Sequence, residues 1–215
     1  MAKSGSISAS VIKRLPRYYR FLGVLLKEGV ERISSQELAS RMKLTASQIR
    51  QDLNCFGGFG QQGYGYNVEQ LYDEIGVILG VNTTLNVILV GAGNLGHAIA
   101  SHMEFERRGF KLIGAFDENP KLIGGKIKNT EIFAISDLED FCALHKPTVA
   151  IVCVPTGPAA KIVENLYNCG IRGFWNYSHY DILSAFPDAI VENVHLSDSL
   201  LTLSYQIKSS EKNEE

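Results

Sequence analysis

The sequence LNVILVGAGNLG at residues 85–96 decides the fold of most of this 215-residue chain. Its apolar first half predicts a buried strand over Leu85–Val90, and the glycines that follow fit the spacing G-x-G-x-x-G just before a helical pattern. In this pattern the first glycine permits a tight turn, the second lets backbone N–H groups approach a pyrophosphate, and the third allows close helix-strand packing. The segment therefore predicts the opening strand-turn-helix of a Rossmann-type domain.

A carboxylate and a later strand complete the pattern of a dinucleotide site. Asp117 follows Gly96 by 21 residues and ends the second predicted strand, where it can accept hydrogen bonds from both ribose hydroxyls and would repel a 2′-phosphate. The sequence therefore favours NAD(H) over NADP(H). Ligands lie outside the carboxyl ends of parallel strands, so the loop after a strand at residues 148–154 should border the cofactor. The predicted cofactor-binding residues are Gly91, Ala92, Gly93, Asn94, Leu95, Gly96, Asp117, Val154, Pro155 and Thr156.

Two other interpretations of the glycine pattern stay open at this point. The motif could be a glycine-rich turn between a strand and a helix, with Asp117 an incidental surface residue. The domain could also bind another adenine ligand, such as coenzyme A.

The order of the predicted elements indicates an α/β protein of two domains. Strand and helix patterns alternate over residues 85–195, which is typical of a doubly wound parallel sheet. Residues 1–80 carry a helical pattern instead, and a last amphipathic helix is predicted over residues 196–208. The charged residues 209–215 are expected to be disordered.

The charge distribution differs between the two predicted domains. The net charge of -2 by itself gives no reason to expect a nucleic-acid partner. However, residues 1–60 hold 10 Lys and Arg against 4 Asp and Glu, whereas residues 61–215 hold 11 against 19. Such asymmetry is typical of a basic binding module joined to an acidic one.

Helix signals in the basic segment predict a helix-turn-helix. Pro16 is expected to open the first helix, because proline suits the first helical position. Ser34 with Glu37 fits a capping box and begins a second helix. Thr45 with Gln48 repeats the pattern almost at once, so the third helix would be the recognition helix.

A glycine-rich stretch behind the third helix predicts the wing of a winged helix. In this stretch, residues 57–66 (GGFGQQGYGY), the glycines can adopt the positive φ that a tight turn needs. The aromatic side chains can lie on a two-stranded ribbon. Asn67 with Gln70 is expected to cap a fourth helix that ends at Gly80. The predicted DNA-binding residues are Arg14, Arg17 and Tyr18 for phosphates, Ser47, Gln48, Arg50 and Gln51 for base edges, and Gln61, Gln62 and Gly63 in the wing.

Cysteine spacing and hydropathy argue against several other classes. The four cysteines show no C-x-x-C spacing and no histidine at metal-ligand spacing, so we expect free thiols, no disulfide framework and no metal. No apolar segment approaches the roughly 20 residues of a membrane span. The first ten residues lack the apolar core of a signal peptide, so we expect a cytoplasmic protein.

Taken together, these motifs resemble the Rex family of redox-sensing transcriptional repressors over nearly the whole chain. The resemblance rests on the order of the N-terminal, wing, glycine-rich and C-terminal motifs. The matching stretches are residues 34–39 (SSQELA), 48–53 (QIRQDL), 56–60 (FGGFG), 63–68 (GYGYNV), 91–96 (GAGNLG), 154–155 (VP), 170–173 (GIRG), 176–177 (NY) and 203–205 (LSY).

This resemblance implies an NADH-sensing repressor and not an enzyme. It implies a homodimer whose Rossmann domains pair and whose C-terminal helices are domain-swapped between subunits. Two winged helices would contact successive major grooves of a palindromic double-stranded operator. NADH would release the dimer from DNA, whereas NAD+ would permit repression.

Several positions depart from the family pattern. Gln51, Gln61 and Gln62 stand where the family commonly carries Lys or Arg, which predicts weaker and less salt-sensitive DNA binding, because fewer phosphates are neutralised. The family also pairs a tyrosine near the nicotinamide with an aspartate of the partner subunit. Here His102 and His195 occupy those places, so they are the switch candidates and predict pH sensitivity near neutrality.

Two functions of other classes are weighed against the repressor. A small NAD-dependent oxidoreductase with an accessory helical domain would need an acid or base beside the nicotinamide, and none of the 5 histidines falls in a recognisable dehydrogenase pattern. A non-catalytic adaptor would use the helical module to bind a protein. Loss of DNA binding without loss of NADH binding on changing Arg50 would favour the repressor.

Overall fold

The computed structural model describes residues 7–57 and 64–211, and the chain divides into two units between Asn82 and Thr83. The first unit is helical, with one short antiparallel strand pair. Its elements are α1 (Ala9–Lys27), β1 (Arg32–Ile33), α2 (Ser35–Met42), α3 (Ala46–Asn54), β2 (Tyr66–Asn67) and α4 (Val68–Leu79).

The first helix begins earlier than the sequence predicted. The Ser8 side chain accepts a hydrogen bond from the Val11 N–H, so α1 starts at Ala9 and Pro16 lies inside it. The prediction that Pro16 opens the helix was therefore wrong. A proline within a helix leaves the carbonyl four residues earlier without its usual donor, but the apolar stripe of α1 continues through it from Leu15 to Leu25.

Local capping signals fix the helix-turn-helix as predicted. Ser34 and Thr45 each accept a hydrogen bond from the backbone N–H three residues ahead, at 3.0 and 3.1 Å. Between the two helices Lys43 adopts a left-handed conformation, with a φ of 54°. Leu44 then donates its N–H to the Ala39 carbonyl at 3.0 Å, which ends α2 and turns the chain into α3.

The ribbon expected behind α3 is described only at its base. Tyr66 pairs with Ile33 in an antiparallel bridge, so β2 joins the strand that precedes α2. The predicted wing tip, with Gln61, Gln62 and Gly63, lies outside the described residues. Asn67 accepts from the Gln70 N–H at 2.8 Å and α4 ends at Gly80, so the predicted cap and end of the fourth helix are confirmed.

Among the described residues of the first unit, one charged group is buried in the core. Asp52 of α3 is 3% exposed among aliphatic side chains of all four helices. Its carboxylate accepts two hydrogen bonds from the Arg14 guanidinium, at 2.7 and 2.8 Å, and one from the Tyr18 hydroxyl at 2.7 Å. Three charge-assisted bonds therefore hold the recognition helix against α1.

The second unit is an α/β sandwich built on a seven-stranded sheet. Its strand-helix alternation confirms the fold class predicted from residues 85–195. Its elements are β3 (Leu85–Val90), α5 (Asn94–His102), β4 (Phe110–Asp117), β5 (Lys126–Ile127), β6 (Thr130–Ala134), α6 (Leu138–His145), β7 (Val149–Val152), α7 (Thr156–Asn168), β8 (Gly173–Asn176), α8 (Ile182–Ala185), β9 (Ile190–Asn193) and α9 (Leu196–Glu211).

Sheet topology determines where a ligand can bind. The strand order is β5-β6-β4-β3-β7-β8-β9, and every pair is parallel except β5 with β6. The chain leaves β3 toward β4 on one side and later returns to β7 on the other. The crevice outside the carboxyl ends of β3 and β7 is therefore the topological switch point, where doubly wound sheets bind ligands.

The last helix is longer than predicted and packs little within its own unit. It continues to Glu211, so residues 209–211 are helical and the predicted end at residue 208 was wrong. No residue of α9 is buried. Leu196, Leu200, Leu203 and Ile207 lie along one face at helical spacing and are 50–67% exposed.

The buried carboxylate of Asp52 gives a test of the first unit's stability. We expect Asp52→Asn to lower its free energy of unfolding by roughly 2–4 kcal/mol, because Arg14 and Tyr18 lose a charged acceptor. Tyr18→Phe, which removes one hydrogen bond and keeps the ring, should cost only about 1 kcal/mol. Urea denaturation followed by circular dichroism would measure both, and equal losses for the two variants would contradict the charge network.

The same group predicts a pH dependence. Burial by itself raises the pKa of Asp52, but the hydrogen bonds from Arg14 and Tyr18 and the charge of Arg14 outweigh it and hold this pKa below the ordinary 3.8. The stabilisation of the folded first unit by ionised Asp52 should be fully present above pH 3.8, and it should be lost as the pH falls through the lower pKa of the folded state. Asp52→Asn should remove this part of the acid sensitivity.

Candidate functional site

The turn after β3 is shaped by close backbone contacts that only glycine permits. Gly91 has a φ of +95°, and a Cβ there would lie 2.6 Å from the carbonyl oxygen of Cys153. A Cβ at Gly96 would lie 1.9 Å from the carbonyl oxygen of Gly91. These contacts bring the first turn of α5 directly onto the end of β3, as the motif predicts.

Gly93 has a different role in the same turn. A Cβ at this position would meet nothing within 4 Å, so no protein group requires glycine there. Gly93 is exposed, and α5 begins at the next residue without a side-chain cap. The first N–H groups of α5 therefore face open space with the positive end of the helix dipole behind them, which suits an anionic ligand.

Asp117 lies at the carboxyl end of β4 and borders this space. Its Oδ2 accepts from the Ala92 N–H at 2.7 Å, and its Oδ1 accepts from the Asn119 N–H at 2.8 Å. The first of these bonds joins the aspartate to the glycine-rich turn, so the two halves of the predicted fingerprint meet in space. The remaining acceptor capacity of the two oxygens can bind hydroxyl donors.

A cleft of about 500 Å³ opens at the switch point between these elements. Five of the predicted cofactor residues line it: Gly91, Gly93, Asp117, Val154 and Pro155. Sequence reasoning missed three polar residues of the opposite wall, which are Ser136, Lys161 and Asn165. Only helical spacing along α7, where Lys161 and Asn165 lie one turn apart, could have indicated two of them.

The other predicted cofactor residues support the cleft or flank it. Ala92 and Gly96 are buried beneath the turn, whereas Asn94, Leu95 and Thr156 are exposed at the starts of α5 and α7. None of the five is among the residues that line the cleft. The N–H groups of Asn94 and Leu95 nevertheless belong to the first turn of α5, and that of Thr156 belongs to the first turn of α7.

The exposed face of α3 carries most of the predicted base-reading residues. Ser47, Arg50 and Gln51 are exposed, and Gln48 is half-buried, while Ile49 and Leu53 point into the core. Arg50 Nη1 donates to the Ser35 hydroxyl at 3.0 Å, which holds the guanidinium at the start of α2. The face therefore offers a cation and amide groups that fit base edges.

Two predicted phosphate contacts need correction. Tyr18 is 1% exposed and donates its hydroxyl to Asp52, so its assignment as a DNA-contacting residue was wrong. Arg14 uses Nε and Nη2 on the same carboxylate, so its first role is to fix α3 against α1. Arg17 is exposed and donates to the Met42 carbonyl at the end of α2.

The switch candidates lie in different surroundings. His102 is exposed at the end of α5. His195 lies between β9 and α9, where its ring stacks on His179 with centroids 5.1 Å apart and planes 4° apart. Its Nδ1 is buried and has no hydrogen-bond partner within the described part of the chain. The stacked partner His179 was not predicted, because 16 residues separate it from His195.

A buried asparagine holds the segments that carry this histidine pair. Asn176, fully buried at the end of β8, donates Nδ2 to the Tyr180 carbonyl at 3.0 Å and to Asn193 Oδ1 at 2.8 Å. Its Oδ1 accepts from both the N–H and the hydroxyl of Ser178. The carboxyl ends of β8 and β9, and hence the root of α9, are therefore fixed to each other.

Within residues 7–57 and 64–211, no helix has the length and hydrophobicity that a bilayer-spanning segment needs. The same residues contain no group of three or more His, Cys, Asp or Glu placed to hold a metal ion.

A helix-turn-helix unit and a Rossmann-type cleft in one chain define a DNA-binding regulator with a nucleotide site. Residues 6–54 match a family described as putative DNA-binding protein N-terminus, and residues 82–180 match one described as CoA binding domain. The redox-sensing transcriptional repressor Rex of Thermoanaerobacter pseudethanolicus is 53% identical over 211 residues, which cover 98% of this chain and 94% of that protein.

Solved structures are similar over the same length. The crystal structure of RSP in complex with beta-NAD+ and operator DNA matches with a TM-score of 0.89 at 51% identity, covering 98% of this chain and 97% of that one. RSP in complex with beta-NADH matches with a TM-score of 0.89 at 48% identity, covering 98% and 99%. The chain belongs to the Rex family of redox-sensing transcriptional repressors.

The glycine-rich turn predicts different outcomes for two alanine substitutions. Gly96→Ala should lower the free energy of unfolding of the second unit by at least about 2 kcal/mol, because its methyl group would collide with the Gly91 carbonyl. Gly93→Ala should change it by less than about 0.5 kcal/mol, since the space is open. Chemical denaturation would measure both, and a stable Gly96→Ala protein would contradict the packing described.

Proposed function

We propose that this protein is a DNA-binding transcriptional repressor that senses the NADH/NAD+ ratio, and that it has no enzymatic activity. The observation that carries the proposal is the joint presence of an exposed recognition helix and a cleft that combines Gly93, free α5 N–H groups and Asp117. Similarity over 98% of the chain to a protein solved with both beta-NAD+ and operator DNA supports it.

The cofactor would bind across the switch-point cleft. The pyrophosphate would accept hydrogen bonds from the α5 N-terminus beside Gly93, and Asp117 would accept from the ribose hydroxyls. Val154 and Pro155 would contact the ligand from the end of β7. A carboxylate at position 117 suits a ribose whose 2′- and 3′-hydroxyls are both free and would repel the 3′-phosphate of coenzyme A. This supports NAD(H) over coenzyme A, the ligand named in one matching family description.

Operator DNA would be read by α3 in the major groove. Ser47, Gln48, Arg50 and Gln51 would contact base edges, with Arg50 suited to guanine and the glutamines to adenine. Arg17 would add a phosphate contact near the end of α2. By resemblance to the family, Gln61, Gln62 and Gly63 of the predicted wing would also contact the DNA. A repressor of chromosomal DNA would act in the cytoplasm.

The exposed apolar faces of the second unit support a homodimer. On α9, Leu196, Leu200, Leu203 and Ile207 form a stripe that water would otherwise cover. A separate apolar groove of about 420 Å³ crosses the sheet, and Trp175 and Ile190 are among its lining residues. A swapped pair of α9 helices would bury the stripe, and a two-fold dimer would present two recognition helices to a palindromic operator.

His102 and His195 remain the proposed switch residues. A neutral imidazole offers one donor and one acceptor, so His195 Nδ1 can still bind a partner that reaches it. His195 lies at the root of α9, hence a contact made there would act directly on the helix proposed to join the subunits.

The repressor function is tested by a gel shift of the full chain on a palindromic promoter fragment. We expect a shift with NAD+ that NADH reverses. Arg50→Ala should weaken DNA binding by on the order of tenfold to a hundredfold and leave NADH affinity unchanged. Arg107→Ala, at an exposed arginine of the second unit, is the matched control. A shift that ignores NADH, or steady turnover of a nicotinamide substrate, would contradict the proposal.

The dimer is tested on α9. Leu200→Glu combined with Leu203→Glu should convert the protein to a monomer, because two carboxylates would have to enter an apolar interface. Leu144→Glu is the control, since Leu144 is 76% exposed but lies alone on α6. Analytical ultracentrifugation would measure both, and an intact dimer in the double variant would rule out the α9 stripe as the interface.

A further inference from the structure

Two cysteines of the second unit face each other across adjacent helices. Cys142 lies in the middle of α6 and is 2% exposed, and Cys169 is the half-buried residue that ends α7. Both belong to one hydrophobic cluster and both line an open groove of about 680 Å³ at the amino ends of β3, β7 and β8. Each thiol is among the groups that shift the pKa of the other, which agrees with their shared place in this cluster and groove.

The two helices joined by this pair also build the wall of the cofactor cleft. Ile135 and Ser136 precede α6, and Lys161, Ile162 and Asn165 belong to α7; all five line the cleft. Each helix therefore begins at the carboxyl edge of the sheet, beside the cleft, and runs toward the opposite edge, where Cys169 lies. The 13 residues of α7 span about 20 Å between the two places.

We propose that Cys142 and Cys169 form a reversible dithiol–disulfide pair, and that oxidation of this pair changes dinucleotide binding by locking α6 to α7. The link to the cofactor rests on the proposed NAD(H) site; the disulfide itself does not. The sequence gives no sign that these two of its four cysteines pair, because 27 residues separate them and no C-x-x-C spacing marks them.

The surroundings of the two thiols determine which of them should react first. Burial, together with the charge and hydrogen bond of Cys169, raises the pKa of Cys142 to about 12. Burial also raises the pKa of Cys169, whereas its hydrogen bond from Cys142 lowers it and the charge of Glu139 raises it. Because the thiolate is the nucleophile, the more exposed Cys169, which Cys142 helps to ionise, should react first.

The oxidant we name is a small-molecule disulfide. The Cys169 thiolate attacks one of its sulfurs, forms a mixed disulfide and expels one thiolate. The Cys142 thiolate then attacks Cys169 Sγ, closes the intramolecular disulfide and expels the second thiolate. Two protein thiols are oxidised, one external disulfide is reduced to two thiols, and the protons lost by the cysteines are taken up by the leaving thiolates or by solvent.

The experiment uses the full chain with oxidised glutathione and separates the disulfide from its consequence. Peptide mapping under non-reducing conditions should find Cys142 linked to Cys169, and dithiothreitol should reverse the link. The rate should rise with pH, since both thiols are protonated at neutrality. Cys55→Ser, which removes an exposed thiol of the other unit, is the matched control and should leave the link intact.

NADH titration of the oxidised and reduced proteins measures the coupling. We expect the affinity to differ by about two- to thirtyfold, the range found for coupling through packed side chains. Cys169→Ser and Cys142→Ala should each abolish both the disulfide and the difference in NADH affinity between the oxidised and reduced proteins. Alanine is used at position 142 because a serine hydroxyl buried there could harm folding.

Each outcome bears on a separate claim. No linked peptide, under conditions that modify Cys55, would overturn the dithiol pair. A linked peptide with equal NADH affinity in both states would overturn the coupling. A reduced protein that fails to bind NADH would contradict the proposed function and leave the disulfide result standing.

Discussion

The close approach of α5 to the end of β3 is the contact on which the second unit depends. With a Cβ at position 96 only 1.9 Å from the Gly91 carbonyl, the helix could not start where it does. Its N–H groups would then no longer face the switch point, and the Ala92 N–H would lose the Asp117 carboxylate that lies 2.7 Å away. The absence of a Cβ at Gly96 therefore both directs the α5 N–H groups at the switch point and keeps Asp117 bonded to Ala92.

In the first unit, a buried charged group holds the functional helix in place. A recognition helix needs polar residues outward and a firm attachment inward, yet α3 has only nine residues and two large apolar anchors, Ile49 and Leu53. Asp52 adds a third anchor through its bonds to Arg14 and Tyr18. Arg14 and Tyr18, which the sequence assigns to phosphate contacts, therefore orient α3 instead, and the proposed phosphate contacts are left to other cations such as Arg17.

Local signals account for what the sequence could predict. Caps at Ser34, Thr45 and Asn67 act over three residues, and the glycine fingerprint over six, so both fix structure without knowledge of the rest of the chain. The Arg14–Asp52 pair spans 38 residues and the stacked histidines span 16, and no periodicity connects them. Lys161 and Asn165 of the opposite wall were missed because they lie far from Asp117 in the sequence, and their helical spacing on α7 does not by itself identify a cleft.

The position of α9 gives the proposed sensor a direct route from ligand to assembly. Strand β9 runs parallel to β8, so it ends at the same carboxyl edge of the sheet as the cleft, and α9 begins three residues later. Asn176 fixes this root through Asn193, and His195 stands between the strand and the helix with an unpaired buried Nδ1 among the described residues. A ligand can shift an equilibrium only through contacts that differ between two states. If α9 packs on a second copy as proposed, a helix that is unburied in one chain and rooted beside the ligand edge would supply such a difference.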